Sequence, residues 1–182
     1  LTAAAAAELL EQAGYLAGEI ADALKNAYYE AAAAVALILQ QIGFLAGEVA
    51  DALKNAYAAT AAAVTQFLKD AGYLIADIAT ALTNVFASTA AEVTGFFKNV
   101  GYSVVEIGGA LAAALSKTAE QAAQLLKDVG YSAAEVADAL KNAFNMASDA
   151  ATAAILSALN YSVEELMSAL TSVYGTVASG VA

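Results

Sequence analysis

Hydrophobic residues recur along this chain at intervals of three and four residues, which places them on one face of a helix. One kind of series is seen twice near the start of the chain, as Ala17, Ile20, Leu24 and Ala27 and again as Ala46, Val49, Leu53 and Ala56. A second kind lies between such series, for example Val64, Phe67, Leu68 and Ala71. Strand-like alternation is absent. The pattern therefore predicts two kinds of short helix, a first and a second, that alternate along the chain.

A Gly-aromatic pair marks a period of 29 residues. It occurs as Gly14-Tyr15, Gly43-Phe44, Gly72-Tyr73, Gly101-Tyr102 and Gly130-Tyr131, and Asn160-Tyr161 follows one residue late. Helices of about 11 to 14 residues are marginal alone in water, so each pair must pack against its neighbours. The sequence predicts an all-α, solenoid-like stack of two-helix hairpins.

We expect one repeat array over residues 1–182. It consists of a half repeat at 1–13, five repeats that begin at residues 14, 43, 72, 101 and 130, and a partial repeat at 160–182. The fifth repeat has one extra residue, near 145–148. No stretch of the sequence has the composition of a linker.

Helix-capping signals fall at the predicted boundaries. Capping boxes open first helices at Ser103, Ser132 and Ser162, each with Glu three residues later, and Thr89 and Thr118 open second helices in the same way. The repeated Gly lies where a second helix ends, and it suits the left-handed backbone found there. We expect the aromatic residue after each Gly to fold back on the last helical turn.

The repeated Gly-Tyr-x-x-x-Glu-Ile/Val-x-x-x-Leu-Lys pattern, as at residues 14–25, covers nearly the whole chain. It resembles the repeats of bacterial Ala-rich tandem-repeat proteins built from two-helix units. The resemblance implies a helical-repeat fold and carries no particular activity.

Composition excludes several kinds of chemistry. The chain has no Cys and no His, so it has no thiol nucleophile, imidazole base or zinc site made from these ligands. We expect no enzymatic activity, no catalytic residue, no cofactor and no metal. The net charge of −11 opposes binding to nucleic acid. The sequence does not specify a location, and we favour the extracellular space or the cell surface.

The apolar fraction of 61% raises the question of a membrane span. The longest candidate, residues 31–47, lies between Glu30 and Glu48, contains Gln40-Gln41 and crosses a repeat boundary at Gly43. A spanning helix needs about 20 predominantly apolar residues. We interpret the segment as parts of two short helices and expect no membrane span.

An acidic residue occupies one position in every repeat: Glu19, Glu48, Asp77, Glu106, Glu135 and Glu165. A row of carboxylates can hold a hard cation such as calcium, but capping and the helix dipole already explain an acid in the first turn. We favour capping. Asp22, Asp51 and Asp138 are each followed three residues later by Lys, and we interpret these as ordinary surface pairs.

Large aromatic residues recur near the end of the first helix: Tyr28, Tyr57, Phe86, Phe144 and Tyr174. They could line a groove for lipid, or fill a core between Ala-rich helices, and we favour the core. The Tyr hydroxyls should reach water or a carbonyl.

Both ends of the chain are apolar, with Leu1 to Ala7 at one end and Val177 to Ala182 at the other. Soluble solenoids close with polar end repeats. We therefore expect a structural, self-assembling protein whose copies join end to end as a homo-oligomer or filament. The alternatives are a carrier of lipid or another apolar ligand, and a spacer segment of a larger protein.

Overall fold

The computed structural model describes residues 1–175, and within them the chain forms twelve α-helices and no strand. The first helices of the repeats are α2 (Ala17–Tyr28), α4 (Ala46–Tyr57), α6 (Ile75–Phe86), α8 (Val104–Ala113), α10 (Ala133–Ala143) and α12 (Val163–Tyr174). The second helices are α1 (Ala3–Gln12), α3 (Ala32–Gln41), α5 (Ala61–Asp70), α7 (Ala90–Asn99), α9 (Ala119–Asp128) and α11 (Asp149–Ala158). The all-α helical-repeat prediction is confirmed. The apolar tail from residue 177 onward lies outside the described residues.

The helices group into two compact units, Leu1–Thr89 and the part of the chain from Ala90 onward. In the N-terminal unit, α2, α4 and α6 pack side by side in one layer, and α1, α3 and α5 form a second layer against them. The C-terminal unit repeats this plan, with α8, α10 and α12 in one layer and α7, α9 and α11 in the other. The 29-residue period runs through both units. A single continuous array remains a prediction.

Each internal first helix buries two large side chains between the layers. In the N-terminal unit these pairs are Ile20 and Leu24, Val49 and Leu53, and Ile78 and Leu82, and all six are fully buried. The second helices also bury large residues from α3 onward, for example Val35 with Leu39 and Val64 with Leu68. Burying one such side chain is worth about 1.5–3 kcal/mol, so the interlayer core stabilises helices of only 10 to 12 residues.

Small residues set how closely the first helices approach one another. A Cβ atom built on Gly108 of α8 would lie 3.1 Å from Ala143 Cβ and 3.3 Å from Ala139 Cβ, both on α10. The same repeat position is a fully buried Ala at residues 21, 50, 79 and 137. A larger side chain there would push neighbouring first helices apart.

The second helices end as the sequence predicts. In α1, the amide of Gly14 donates to Glu11 O at 2.8 Å and the amide of Tyr15 donates to Leu10 O at 3.0 Å, which is a Schellman motif. The five Gly residues of the repeat adopt φ between 79° and 97°. At the end of α7 the ring of Tyr102 packs edge-on against Phe97, with centroids 5.3 Å apart. Asn160 takes the Gly position in the last repeat with φ 59°.

The first helices of the first five repeats are followed by a left-handed residue that is never Gly, which the sequence does not predict. These residues are Tyr29, Ala58, Ala87, Ser116 and Asn145, with φ between 51° and 57°. The left-handed conformation costs a non-Gly residue about 1–2 kcal/mol. The surrounding packing therefore imposes this turn against local preference.

Replacing Ala58 by Gly should stabilise the protein by about 0.5–1 kcal/mol, because relief of the left-handed strain outweighs the added flexibility of the unfolded chain. Urea denaturation measures the change. The control is Ala62→Gly, in the α-helical backbone of α5, which should lower stability by about 0.5 kcal/mol. Destabilisation by both substitutions would show that Ala58 is not strained.

Candidate functional site

Five of the six carboxylates in the row accept a capping hydrogen bond at a helix start. The amides of Ser103, Ser132 and Ser162 each donate at 2.8 Å to the Glu that lies three residues later. The amides of Leu16 and Leu45 donate to their Glu at 2.9 and 2.8 Å. Asp77 lies in the first turn of α6. Between residues 1 and 175 no three acidic side chains come close enough together to hold a metal ion. The contacts support the capping interpretation.

These caps also lower carboxyl pKa values. The backbone amide and then the hydroxyl of Ser132 stabilise the ionised form of Glu135, so the pKa of that carboxyl falls below 4.5, and Lys98 adds a smaller effect. Ser162 lowers the pKa of Glu165 in the same way. Because a depressed pKa stabilises the fold only while the group is ionised, this contribution is lost in acid, as the pH falls through the folded pKa.

The lysines bind across repeats, which corrects the interpretation of the Asp-Lys pairs. Lys25 Nζ donates to Ala56 O of the next first helix at 2.5 Å, and Lys54 Nζ donates to Val85 O at 2.6 Å. Lys141 makes the same bond to Val173 O at 2.5 Å. Asp138 Oδ1 instead accepts from the side-chain amide of Asn142 at 2.7 Å. Lys25, Lys54 and Lys141 thus each cap the C-terminal end of the next first helix, where the dipole favours a cation.

Lysines of the second helices make the same kind of bond. Lys98 Nζ donates to Val129 O at 2.5 Å, and Lys127 Nζ donates to Leu159 O. Each acceptor is the residue that follows the last turn of the next second helix. Lysines in both layers therefore tie each repeat to the one after it.

Each of these five ammonium groups also lies over an aromatic ring at, or just after, the C-terminal end of the helix that it caps. The distances from Nζ to the ring centroid are 5.2 Å for Lys25 and Tyr57, 5.2 Å for Lys54 and Phe86, 4.4 Å for Lys98 and Tyr131, 4.8 Å for Lys127 and Tyr161, and 4.9 Å for Lys141 and Tyr174. Such cation–π contacts are worth about 0.5–1 kcal/mol at exposed sites. One lysine thus makes two contacts at the C-terminal end of a single helix.

The aromatic series packs between elements of the protein. The hydroxyl of Tyr57 donates to Glu30 O and that of Tyr174 donates to Met146 O, both at 2.7 Å. Tyr28 and Phe86 end α2 and α6, and Phe144 follows α10 with its ring 3.8 Å from the Cβ position of Gly108. The expectation that Tyr hydroxyls reach a carbonyl is met at Tyr57 and Tyr174.

The aromatic residue of the Gly-Tyr turn makes a parallel contact. Tyr73 OH donates to Phe44 O at 2.6 Å and Tyr161 OH donates to Tyr131 O at 2.8 Å. Burial, followed by the nearby charge of Glu48, raises the pKa of Tyr73 to about 12. Burial and the charges of Glu165, Glu135 and Asp128 raise the pKa of Tyr161 to about 12. Both phenols are therefore structural donors between consecutive turns.

One surface groove, with a volume of about 440 Å³, lies in the C-terminal unit. Its lining residues are Ala90, Lys117, Glu120, Gln121, Gln124 and Leu125. None of these belongs to the aromatic series, and four of the six are polar or charged. The groove is therefore separate from the aromatic side chains that the sequence offered as the lining of a lipid groove.

A feature that the sequence analysis missed lies at the start of the first helices in the N-terminal unit. Leu16, Leu45 and Leu74 occupy the N-cap position of α2, α4 and α6, and their own side chains accept no hydrogen bond from the first turn. The C-terminal unit has Ser at all three equivalent positions, and each Ser accepts from a first-turn amide. Replacing a good N-cap by an apolar residue costs about 1 kcal/mol. The signal in the sequence was the change from Leu to Ser at one position of the period.

Comparisons with known proteins give no relative. No protein-family model matches this chain, and searches of curated proteins and of solved structures find no match. Inferences about function therefore rest on the chain itself. Throughout the described residues, no helix has both the length and the hydrophobicity needed to cross a bilayer.

Replacing Lys54 by Met should lower the free energy of unfolding by about 1–2 kcal/mol, because Met keeps the length of the side chain but loses the bond to Val85 O and the charge over Phe86. Chemical denaturation measures the loss. In the matched control, Asp51→Asn should change stability by less than about 0.5 kcal/mol. Equal losses would instead favour an Asp51-Lys54 pair within the helix.

The phenol of Tyr73 should make the fold sensitive to alkali. Since its pKa rises from 10.0 in the unfolded chain to about 12 in the fold, its contribution is complete below pH 10 and is lost as the pH rises to about 12. Tyr73→Phe should be less stable than the unaltered protein at pH 8, by about 1 kcal/mol for the lost hydrogen bond, and the gap should narrow above pH 10. Urea denaturation over this range is the measurement, and a constant gap would contradict the expectation.

Proposed function

We propose that this protein is a structural helical-repeat protein without catalytic activity, whose copies associate end to end through the outer faces of their end helices. The observation that carries the proposal is the exposure of apolar side chains on α12 and α1. Val163 is 70% exposed and Met167 44% exposed on α12, and Leu9 is 55% exposed on α1.

Val163 and Met167 lie on one face of α12. In the internal first helices, the residues at the same repeat positions face the following repeat. Met167 stands at the repeat position of Gly108, which contacts Ala139 and Ala143 of the next first helix. Val163 stands at the position of Ala133, which is buried. A second copy that packs on this face would bury apolar area worth about 25 cal/mol per Å².

The start of the chain offers the complementary face. In α4, Ala52 and Ala56 are buried, and they occupy the positions at which α10 meets α8. Of the equivalent residues of α2, Ala23 is half-buried and Ala27 is exposed. A contact from α12 of one copy to α2 and α1 of another would use two different surfaces. Such a heterologous contact propagates unless its rotation closes a ring.

Met167 should hold the two helices of this contact farther apart than neighbouring first helices inside the protein. The other repeats have Ala or Gly at its position, where the helices approach most closely. Met is flexible and adapts to irregular gaps. Association should therefore be weaker than internal packing, and the net charge of −11 opposes it further. Added salt screens that repulsion.

Sedimentation velocity tests the proposal. The unaltered protein should form species larger than a monomer as concentration and salt rise, because screening weakens the repulsion between acidic copies. Introducing Lys at both Val163 and Met167 should abolish the association, because it places charge on the contact face. Both residues are exposed, so the fold should survive, and circular dichroism checks this.

A matched control is Ser168→Lys, also on the exposed surface of α12 but beside the proposed face. It should leave association intact. A protein that stays monomeric at every concentration and salt level would rule out the proposal, and so would a Val163→Lys, Met167→Lys variant that associates as well as the unaltered protein.

A further inference from the structure

The N-terminal unit carries a row of three exposed leucines, which we call the leucine row: Leu16, Leu45 and Leu74. Their side chains are 69%, 71% and 71% exposed. They lie one repeat apart at the N-terminal ends of α2, α4 and α6, which pack side by side. The three side chains thus form one apolar strip along a single edge of the unit.

Packing inside the protein does not account for the leucine row. Leu is a poor N-cap, and Ser at the equivalent positions of the C-terminal unit makes complete capping boxes. Two residues after Leu16 and Leu45, the helices have Gly18 and Gly47, and a Cβ atom on either would meet nothing within 4 Å. These residues weaken the helix starts without improving any internal contact, as expected for a surface that binds something else.

The charges beside the leucine row limit what can bind there. Glu19, Glu48 and Asp77 lie in the first turns of the same three helices and are exposed. Two copies of the row facing each other would bring like charges together, which is unfavourable. An anionic membrane surface would be repelled for the same reason. A partner with apolar side chains flanked by Lys or Arg is complementary to both features.

We propose that the leucine row binds a basic amphipathic helix of another protein. Neighbouring packed helices lie about 8–10 Å apart, and seven residues of a helix rise about 10.5 Å. A helix laid along the row therefore meets successive leucines with side chains about five to seven residues apart. Its basic flanks meet Glu19, Glu48 and Asp77. This contact differs from the end-to-end association, because it uses Leu16, Leu45 and Leu74 at the helix starts, whereas that association uses Ala23 and Ala27 of α2.

Fluorescence anisotropy with labelled peptides is the test. The probe is a peptide of Lys, Ala and Leu, about 20 residues long, with its leucines on one helical face. It should bind the unaltered protein at least tenfold more tightly than it binds the variant L16S/L45S/L74S. The variant has the same net charge, so weaker binding isolates the apolar contact. Its urea stability should equal or exceed that of the unaltered protein, because Ser restores the caps.

Two controls sharpen the experiment. Leu37→Ser removes another exposed leucine of the same unit and should leave peptide affinity unchanged. A scrambled peptide of identical composition, whose leucines do not share a face, should bind at least tenfold more weakly than the amphipathic peptide.

Three results would overturn the proposal. The first is equal affinity of the amphipathic peptide for the unaltered protein and the triple variant. The second is equal affinity of the unaltered protein for the amphipathic and scrambled peptides. The third is that the triple variant no longer self-associates, or no longer binds phosphatidylserine vesicles. Loss of self-association would assign the row to a second copy, and loss of vesicle binding would assign it to a membrane.

Discussion

Close packing between first helices is the constraint on which this structure depends. A helix of 10 to 12 residues is marginal alone, so each one needs a neighbour to pack against. Ala21, Ala50 and Gly108 keep that neighbour near. The large core residues can then span the gap between the layers. The high Ala content of the chain thus follows from helix spacing and does not indicate a membrane environment.

The lysines turn this packing into a directional connection. Each of five lysines reaches forward to a carbonyl of the next repeat and to a ring beside the same helix end. Their positive charge is used where helix C-terminal ends need a donor, while many of the acidic groups remain on the surface. The protein has more acidic than basic residues, and the capping role of these lysines makes its surface more acidic still. An exterior of this kind selects basic partners and disfavours contacts between like surfaces.

Local features were predictable from the sequence and non-local ones were not. Gly14 and the capping box at Ser103 depend on residues within a few positions, so both were identified correctly. Ala58 has no preference for a left-handed backbone, and tertiary packing imposes it. Lys25 has its partner 31 residues away, beyond any helical spacing, so a nearby Asp looked like the natural partner. Leu16 fits a hydrophobic pattern, and only the structure shows that it is exposed.

The regular offset of the lysine contacts bears on how this protein can change in length. Lys25 bonds to residue 56 and Lys54 to residue 85, a separation of 31 in both cases. Deleting residues 43–71, one full period, would bring Val85 and Phe86 to the places that Ala56 and Tyr57 hold relative to Lys25. The bond and the ring contact would both be recreated without any further substitution. The lysine contacts should therefore survive gain or loss of whole repeats. They also survive the one extra residue near 145–148, since Lys127 and Lys141 keep their bonds at a separation of 32 residues.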